Sequence, residues 1–396
     1  MNFLRKIFSN KQNFILAEKK LEFSEIDLLK NPDKYDLNIL KELYSSDPWL
    51  CNRAINTWEY ATGKIELTSK PLIITLPIAS NICNANCVVC HEKFTEKATF
   101  LDAKNLVTLY GEIIKYTTNI GLVSMGETLL NPHLGKVIEQ LSELRDPRSM
   151  VYVTTNGILL KEKFESLKKG VSTINITLNS LSNEIYDKIM RPKDSNALEK
   201  VISGIKTAIS YRDSVKDAPR VNLISVLTSI NLQDIKGIID FGNEMNVDSI
   251  QLNVLHRRKV SVFTRGCEMF PEYDELLPER HKDYLNLKSD IETASLKSKV
   301  KVSILTSRIL DSLTEKSCCS FPYKVANFLE IPSFVQPCCF MTNELPSKMD
   351  YPKYGTGVDF FKEIWNGDFY KTLRKSLVSA ELWETCKECL NTEINP

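Results

Sequence analysis

The spacing of apolar residues changes near residue 71. Before it, polar stretches such as EIDLLKNP (25–32) and NILKELYSSDPWL (38–50) repeat with a helical period, and Ser45, Ser46, Asp47 and Pro48 mark a turn. After it, short β-branched runs alternate with longer amphipathic ones. LIITLPI (72–78), GLVSM (121–125), MVYVTT (150–155), STINITL (172–178), RVNLISVL (220–227) and SIQLNVL (249–255) read as strands. Helices are expected near 102–117, 131–145, 159–169, 182–211, 231–246 and 278–298, and KVSIL (301–305) offers a further strand. Strands alternating with helices make a parallel sheet with right-handed crossovers. The expected fold class is α/β, a partial (β/α)6 TIM-like barrel followed by a small C-terminal cysteine-rich domain. Four segments follow: a helical extension (1–70), the barrel (71–256), a connecting region (257–317) and the cysteine-rich part (318–396). Functional residues should gather at the C-terminal strand ends, whose loops share one face.

The chain has 396 residues, of which 26% are charged, and a net charge of +1. That balance gives no support for a nucleic-acid surface. Eleven cysteines stand mostly in pairs and triplets, and the count is odd. Clustering of this kind favours metal in a reducing compartment over a disulfide framework. MNFLRKIFSNKQNF lacks a long apolar core, and no run of about eighteen apolar residues exists. A cytoplasmic protein without a membrane contact is expected. Trp49, Cys51 and Trp58 read as packing residues.

The chemistry is concentrated in Cys83, Cys87 and Cys90, spaced C-x3-C-x2-C in the loop after the first strand. Three thiolates in one loop can converge on one metal centre. On a 4Fe–4S cubane they would hold three irons and leave the fourth open to a small molecule. Two ordinary alternatives stand beside this. One is a zinc site short of its fourth ligand; His91 adjoins Cys90, but adjacent residues rarely reach one tetrahedral centre together. The other is a set of core cysteines.

This loop, at the head of a βα series, resembles that of the radical S-adenosylmethionine (SAM) family. There the open iron chelates the amino and carboxylate groups of SAM, and the reduced cluster cleaves SAM to methionine and a 5′-deoxyadenosyl radical. Further elements carry the resemblance. SMGETLLNP follows the second strand, and its Gly126 and Glu127 resemble the family's Gly-Gly-Glu-Pro element, with Met125 and Thr128 in place of the outer Gly and Pro. An ammonium needs acceptors and close backbone approach, which suits Glu and Gly. TTNG (154–157) resembles the Thr-Asn-Gly turn, with Asn156 its polar member. ITLNS resembles the Ile-Ser-Leu-Asp-Ser element, with Thr177 and Asn179 replacing Ser and Asp. YDKIMRPK places Arg191 where the family pairs an Arg with the SAM carboxylate. Gln251 and Asn253 share a strand face that would lie near the adenine, followed by His256 and Arg257. Each also has a plainer reading, as a helix-start Glu, an Asn-Gly turn, a surface Arg or strand-end polar residues.

A second cysteine group closes the chain. Cys318, Cys319, Cys338, Cys339, Cys386 and Cys389 flank a hairpin ending Pro-Cys-Cys, an Ile-Trp-Asn and a downstream Leu-Arg. The arrangement resembles the auxiliary-cluster domain of the SPASM/twitch group. The resemblance implies Cys319, Cys338, Cys386 and Cys389 as ligands of one second 4Fe–4S cluster. Six cysteines, or seven with Cys267, fall short of full sets for two. A zinc-ribbon site is the alternative. Trp365 reads as packing and Asn366 as serving the following turn.

The resemblance implies an enzyme that takes an electron from flavodoxin or ferredoxin and makes the adenosyl radical inside its barrel. Modification of a C–H position in a peptide or protein is the leading expectation. Dehydrogenation or rearrangement of a sugar or aminocyclitol is the second, and a non-catalytic iron–sulfur or zinc scaffold the third. No general acid or base is identifiable. Acidic Glu268, Glu272, Asp274 and Glu275 share a loop within reach of the barrel mouth, whose plainer reading is a solvated acidic loop.

Overall fold

The computed structural model describes residues 24–90, 97–123, 125–255, 273–305, 319–330, 333–338, 350–383 and 386. Alternation decides the sheet. In Arg220–Leu227 every second residue from Val221 is buried, and the same period runs through Met150–Thr155. The buried set packs under helices: a Cβ added to Gly242 would meet Ile250, and one at Gly157 would meet Ile176.

Six parallel strands carry the expected series: β1 (Ile73–Leu76), β2 (Asn119–Leu122), β3 (Met150–Thr155), β4 (Thr173–Thr177), β5 (Arg220–Leu227) and β6 (Ser249–Val254). They pair in chain order. β7 (Lys301–Leu305) extends the sheet in parallel beside β6. On the other side, β8 (Val325–Phe328) pairs in parallel with β1, and β9 (Ser333–Gln336) and β10 (Lys353–Tyr354) continue antiparallel. The hairpin expected in the cysteine-rich part thus belongs to the same ten-stranded sheet as the barrel strands.

Before the sheet, α1 (Pro48–Ala61) starts on an Asp47 cap that accepts from Leu50 N at 3.0 Å. It covers the end where the parallel strands begin. Trp49 donates Nε1 to Thr117 O and Ser149 Oγ, both just ahead of strands, and Asn56 donates to Tyr323 O ahead of β8. No helix of the described residues is long and apolar enough to cross a membrane.

The crossovers fall largely where expected, among them α2 (Leu134–Leu144), α3 (Leu160–Leu167), α4 (Asn183–Met190), α5 (Ala197–Ser214) and α6 (Ile235–Glu244). Several boundaries differ from the sequence expectation, among them the helix expected near 102–117, which is broken by a π-helical turn at Leu106–Tyr110. The second strand ends at Leu122, short of Met125, because residues 125–127 leave the ladder to bond the cysteine loop. The helix expected from 278 begins as a 3-10 turn at Pro278–Arg280 and becomes α-helical only over α7 (Tyr284–Lys297).

Arg374, on α8 (Asp368–Val378), locks the segment ahead of the sheet to the C-terminal part. Its fully buried guanidinium donates to the carbonyls of Pro322, Ile65 and Trp365 at 2.9, 3.2 and 2.8 Å. It lies over the rings of Trp365 and Tyr370. Burial pulls its pKa down to about 10, still well above neutrality. Trp365 is buried and donates to Ser69 O, as its packing role requires. Asn366 does more than serve a turn: its amide pairs with both the N–H and the carbonyl of Leu67, at 2.8 Å each. Arg374→Met leaves three buried carbonyls short of a donor. It should destabilise the fold by about 3 kcal/mol, read as a lowered midpoint in chemical denaturation.

Candidate active site

The cysteine loop is laced on two sides by backbone bonds. On one side Asn81, at a left-handed φ of 60°, donates its N–H to Met125 O, and Glu127 N donates to Ile82 O at 2.8 Å. Between them Gly126 has φ 154°, and a Cβ there would run into the Ile82 carbonyl oxygen. Only glycine lets the two segments meet. On the other side the end of α4 holds the loop. Val88 N donates to Ile189 O at 2.8 Å, Asn86 N reaches Met190 O and Arg191 O at 3.1 Å each, and Lys193 N donates to Asn84 O at 3.0 Å. Lys193 Nζ adds a bond to Cys83 O at 2.9 Å.

Cys83, Cys87 and Cys90 stand half-buried in this frame, outside any disulfide. Ala85 N lies 3.4 Å and Asn156 Nδ2 3.8 Å from the Cys83 sulfur, so N–H donors are aimed at it. Burial pushes the Cys83 and Cys87 thiols up, and Cys87 is raised further by Cys90 and Cys83 beside it. Such thiols ionise when a cation takes them as ligands. Among the described residues no three Cys, His, Asp or Glu side chains could enclose a single metal ion. A tetrahedral zinc needs every sulfur about 2.3 Å from one centre, whereas a cubane spreads its thiolates over separate irons. Three thiols in one short loop suit the three-thiolate face of a cubane, and His91, the fourth ligand a zinc site would call on, lies outside the described residues.

Glu127 ties the strand ends to this loop. It is 3% exposed. Its Oε1 accepts from Thr155 Oγ1 at 2.6 Å and Leu129 N at 3.0 Å, and its Oε2 accepts from Asn156 N at 2.8 Å. Burial pushes its pKa up, and these three bonds oppose the shift. The carboxylate is therefore turned into the fold, with both oxygens taken. Asn156 in turn donates Nδ2 to Asn84 Oδ1 at 2.7 Å. Asn179 is 1% exposed. Its Oδ1 accepts from Val226 N at 2.8 Å and its Nδ2 lies 3.1 Å from the Met190 sulfur, itself 3.8 Å from Cys87 Sγ.

The structure thus gathers Gly126, Glu127, Asn156 and, through Met190, Asn179 around the three cysteines. Arg191 ends α4 in a left-handed conformation, φ 44°, and meets the loop through its carbonyl while its side chain is exposed. Thr177 and Asn253 sit half-buried on the sheet face turned away from the helices, Asn253 accepting from Gln251 Nε2 at 2.9 Å. His256, Arg257, Glu268 and Glu272 lie outside the described residues, as does the side chain of Asp274. Sequence reasoning passed over Asn84 and Met190. Asn84 stands inside the cysteine loop, which is signal enough, whereas Met190 reads only as a core position of a helix.

The second cysteine group lies toward the opposite end of the sheet. Cys319 precedes the helical turn Phe321–Lys324 that feeds β8, and Cys338 follows β9, which runs back against the parallel strands. Both therefore stand where the parallel strands begin, while Cys83 stands beyond the end of β1. Strand length alone separates those ends by about 10 Å. Cys338 is flanked by buried Tyr351 and Tyr370, whose hydroxyls are pushed up by burial first. Cys386 donates its backbone N–H to Trp383 O at 2.8 Å. Cys389, Cys267, Cys318 and Cys339 lie outside the described residues.

Gly126→Ala should push residues 125–127 off the cysteine loop. The expected result is a chain that melts near the parent temperature yet loses at least about half of the iron it takes up on anaerobic reconstitution, since the loop frame and not the core is disturbed. Glu127→Gln keeps one acceptor oxygen and sets an NH2 against an N–H. It should cost about 1–3 kcal/mol in denaturant unfolding.

Part of the chain is similar to known proteins. Residues 78–242 match the Radical SAM superfamily. A protein of Methanocaldococcus jannaschii named "Probable GTP 3′,8-cyclase" is 34% identical over 167 residues, 41% of this chain and 52% of that one. Its namesake in Sulfurisphaera tokodaii is 30% identical over 179 residues, 45% and 54% of the two chains. The match spans about half the length of these curated relatives. Among solved structures, Streptococcus suis SuiB bound to S-adenosylmethionine superposes with a TM-score of 0.60 at 14% identity, covering 94% of this chain and 78% of that one. Such low identity speaks for the fold alone. The part of the chain that is similar to the Radical SAM superfamily is residues 78–242, and the cysteine loop stands near its start.

Proposed function

We propose that the protein modifies a C–H position in a peptide or protein, using a SAM-binding cluster on Cys83, Cys87 and Cys90. Cys83, Cys87 and Cys90 would hold the cluster, which with SAM would supply radical hydrogen-abstraction chemistry. The chain's own part is to hold and orient. Gly126 keeps backbone against the loop, Glu127 and Asn156 fix the ends of β2 and β3 beside it, and Asn179 holds Met190 on Cys87. Gly126, Glu127, Asn156, Thr177, Asn179, Arg191 and Asn253 are proposed to frame the SAM pocket. Glu127 and Asn179 would act there by position, because their side chains are engaged within the fold.

The observation that carries the peptide reading is the sheet face turned away from the helices. Thr154, Asn175, Asn222, Gln251, Asn253 and Ser303 line it beside Tyr152, Ile224 and Val226, and Asn222 Nδ2 donates to Asn175 Oδ1 at 3.1 Å. Across β1–β8 the charged residues are Arg220 and Lys301, each at the start of its strand. Carboxamides and hydroxyls match amide groups, and the basic run His256, Arg257, Arg258 and Lys259 after β6 lies outside the described residues. Streptococcus suis SuiB has also been solved bound to precursor peptide SuiA, which supports the same reading. A nucleotide substrate is the second reading, favoured by the names of the curated relatives. We assign Cys319, Cys338, Cys386 and Cys389 to a second 4Fe–4S cluster. The strand geometry of Cys319 and Cys338, away from the first loop, supports electron transfer over substrate binding. A flavodoxin or ferredoxin is the proposed donor.

Anaerobic reconstitution with iron and sulfide tests this. About eight irons per chain are expected, two four-iron clusters, falling to about four when Cys83, Cys87 and Cys90 are all changed to Ala. Only the parent should form 5′-deoxyadenosine with dithionite. Zinc in place of iron, or iron without SAM cleavage, would sink the enzyme reading. Peptides synthesised from short open reading frames beside the gene should then be altered in mass, and GTP left unchanged. Turnover of GTP would overturn the peptide reading in favour of the nucleotide.

A further inference from the structure

Beside the cysteine loop the surface opens into a cavity of about 520 Å³. Asn84 of the loop lines it, with Leu130 beyond the 125–127 segment, Ile158 and Leu159 beyond β3, and Lys193, Asp194 and Ser195 beyond α4. Leu130, Ile158 and Leu159 give it an apolar wall. Asn84 joins it to the thiols. Its Oδ1 accepts from Asn156 Nδ2 at 2.7 Å, and the same Nδ2 lies 3.8 Å from Cys83 Sγ. Lys193 Nζ donates to Cys83 O at 2.9 Å. A chain of two side chains, Asn84 and Asn156, thus links the cavity to the Cys83 sulfur.

The surroundings are basic. Within two residues of the described lining positions the charged groups are Lys161, Arg191, Lys193 and Asp194, and the three cations are exposed. Asp194 is paired with Lys200, which offsets its charge. An excess of cations around a concave surface steers an acidic protein toward it. A flavin offers a flat, methyl-bearing edge that an apolar concavity can seat, whereas an iron–sulfur carrier holds its cluster behind its own cysteine loop.

We propose that a reduced flavodoxin docks at this cavity to deliver the electron to the cluster on Cys83, Cys87 and Cys90. The apolar edge of its flavin seats on Leu130, Ile158 and Leu159, and its acidic surface meets Lys161, Arg191 and Lys193. The inference rests on the assignment of a cluster to this loop. One electron passes: the flavin loses it, the oxidised cluster gains it, and no atom moves.

Two readouts test this. With flavodoxin limiting, 5′-deoxyadenosine formation by the reconstituted chain should fall about tenfold at low salt in the double variant Lys161→Glu, Ser195→Trp. That variant reverses one charge and adds bulk to the cavity lining, and neither residue bonds the cysteine loop. Its iron content and its dithionite-driven rate should stay at the parent values. Lys301→Glu, an exposed change at the start of β7, should match the parent with both reductants. The second readout needs no cluster. Carbodiimide should join flavodoxin carboxylates to Lys161 or Lys193 of the iron-free chain, read by mass spectrometry of the digest. A parent rate with flavodoxin in the double variant, or cross-links confined to other lysines, overturns the proposal. A ferredoxin slowed by the double variant where flavodoxin is not overturns the flavin occupant. A parent chain that takes up iron and is reduced by dithionite but not by flavodoxin overturns it as well. A parent chain that takes up no iron fails the cluster assignment itself, and the cross-link then decides the docking surface.

Discussion

The cysteine loop is held by main-chain bonds, and the rest of the site depends on that. The loop contributes thiols but has no regular structure of its own to hold them. Its shape comes from residues 125–127 on one side and the end of α4 on the other, with Gly126 permitting the close approach. Glu127 extends the constraint. Its buried carboxylate gathers Thr155, Asn156 and Leu129, so the ends of β2 and β3 move with the loop as one unit. A cluster bound there would meet a frame already set, which lowers the cost of ordering the loop around it.

The C-terminal part is joined to this frame through the sheet. β8 lies in parallel beside β1, the strand that leads into the cysteine loop. The polar pair Thr75 and Asn327 bridges the two strands at 3.1 Å. Because β9 runs back, the residues after it return to the end where the parallel strands begin. The α1 helix, the Leu67 segment and Arg374 all meet near that end. One end of the sheet thus carries the first cysteine loop, and the other is a dense junction of aromatic rings and buried polar groups beside Cys319 and Cys338. On the helix-free face between them, carboxamides and hydroxyls stand beside Tyr152, Ile224 and Val226.

Much of this was legible in the chain. The strand series could be read from period alone, because each strand buries one face under a helix and so must alternate. The three cysteines stood out because their chemistry is local: a short loop brings them together whatever the fold does. Gly126, Glu127 and Asn156 could be named as partners from their places at strand ends. Their roles could not. The partners of the Glu127 carboxylate, Thr155, Leu129 and Asn156, come from the fold and not from the local pattern. Arg191 also meets the loop through its carbonyl, a main-chain contact that no local pattern encodes.

By itself the sequence determined the α/β class, the order of the barrel strands and the loop that carries the three thiols, since each depends on neighbours within a few residues. Only the tertiary structure decided that the C-terminal hairpin shares the barrel's sheet, for Thr75 and Asn327 are 252 positions apart and nothing local encodes their register. It also decided that Met190, an ordinary core position by its helical spacing, lies against Cys87. Which buried group lies against a thiol is set by how a helix packs on a loop more than ninety residues away, and that is a property of the assembled core alone.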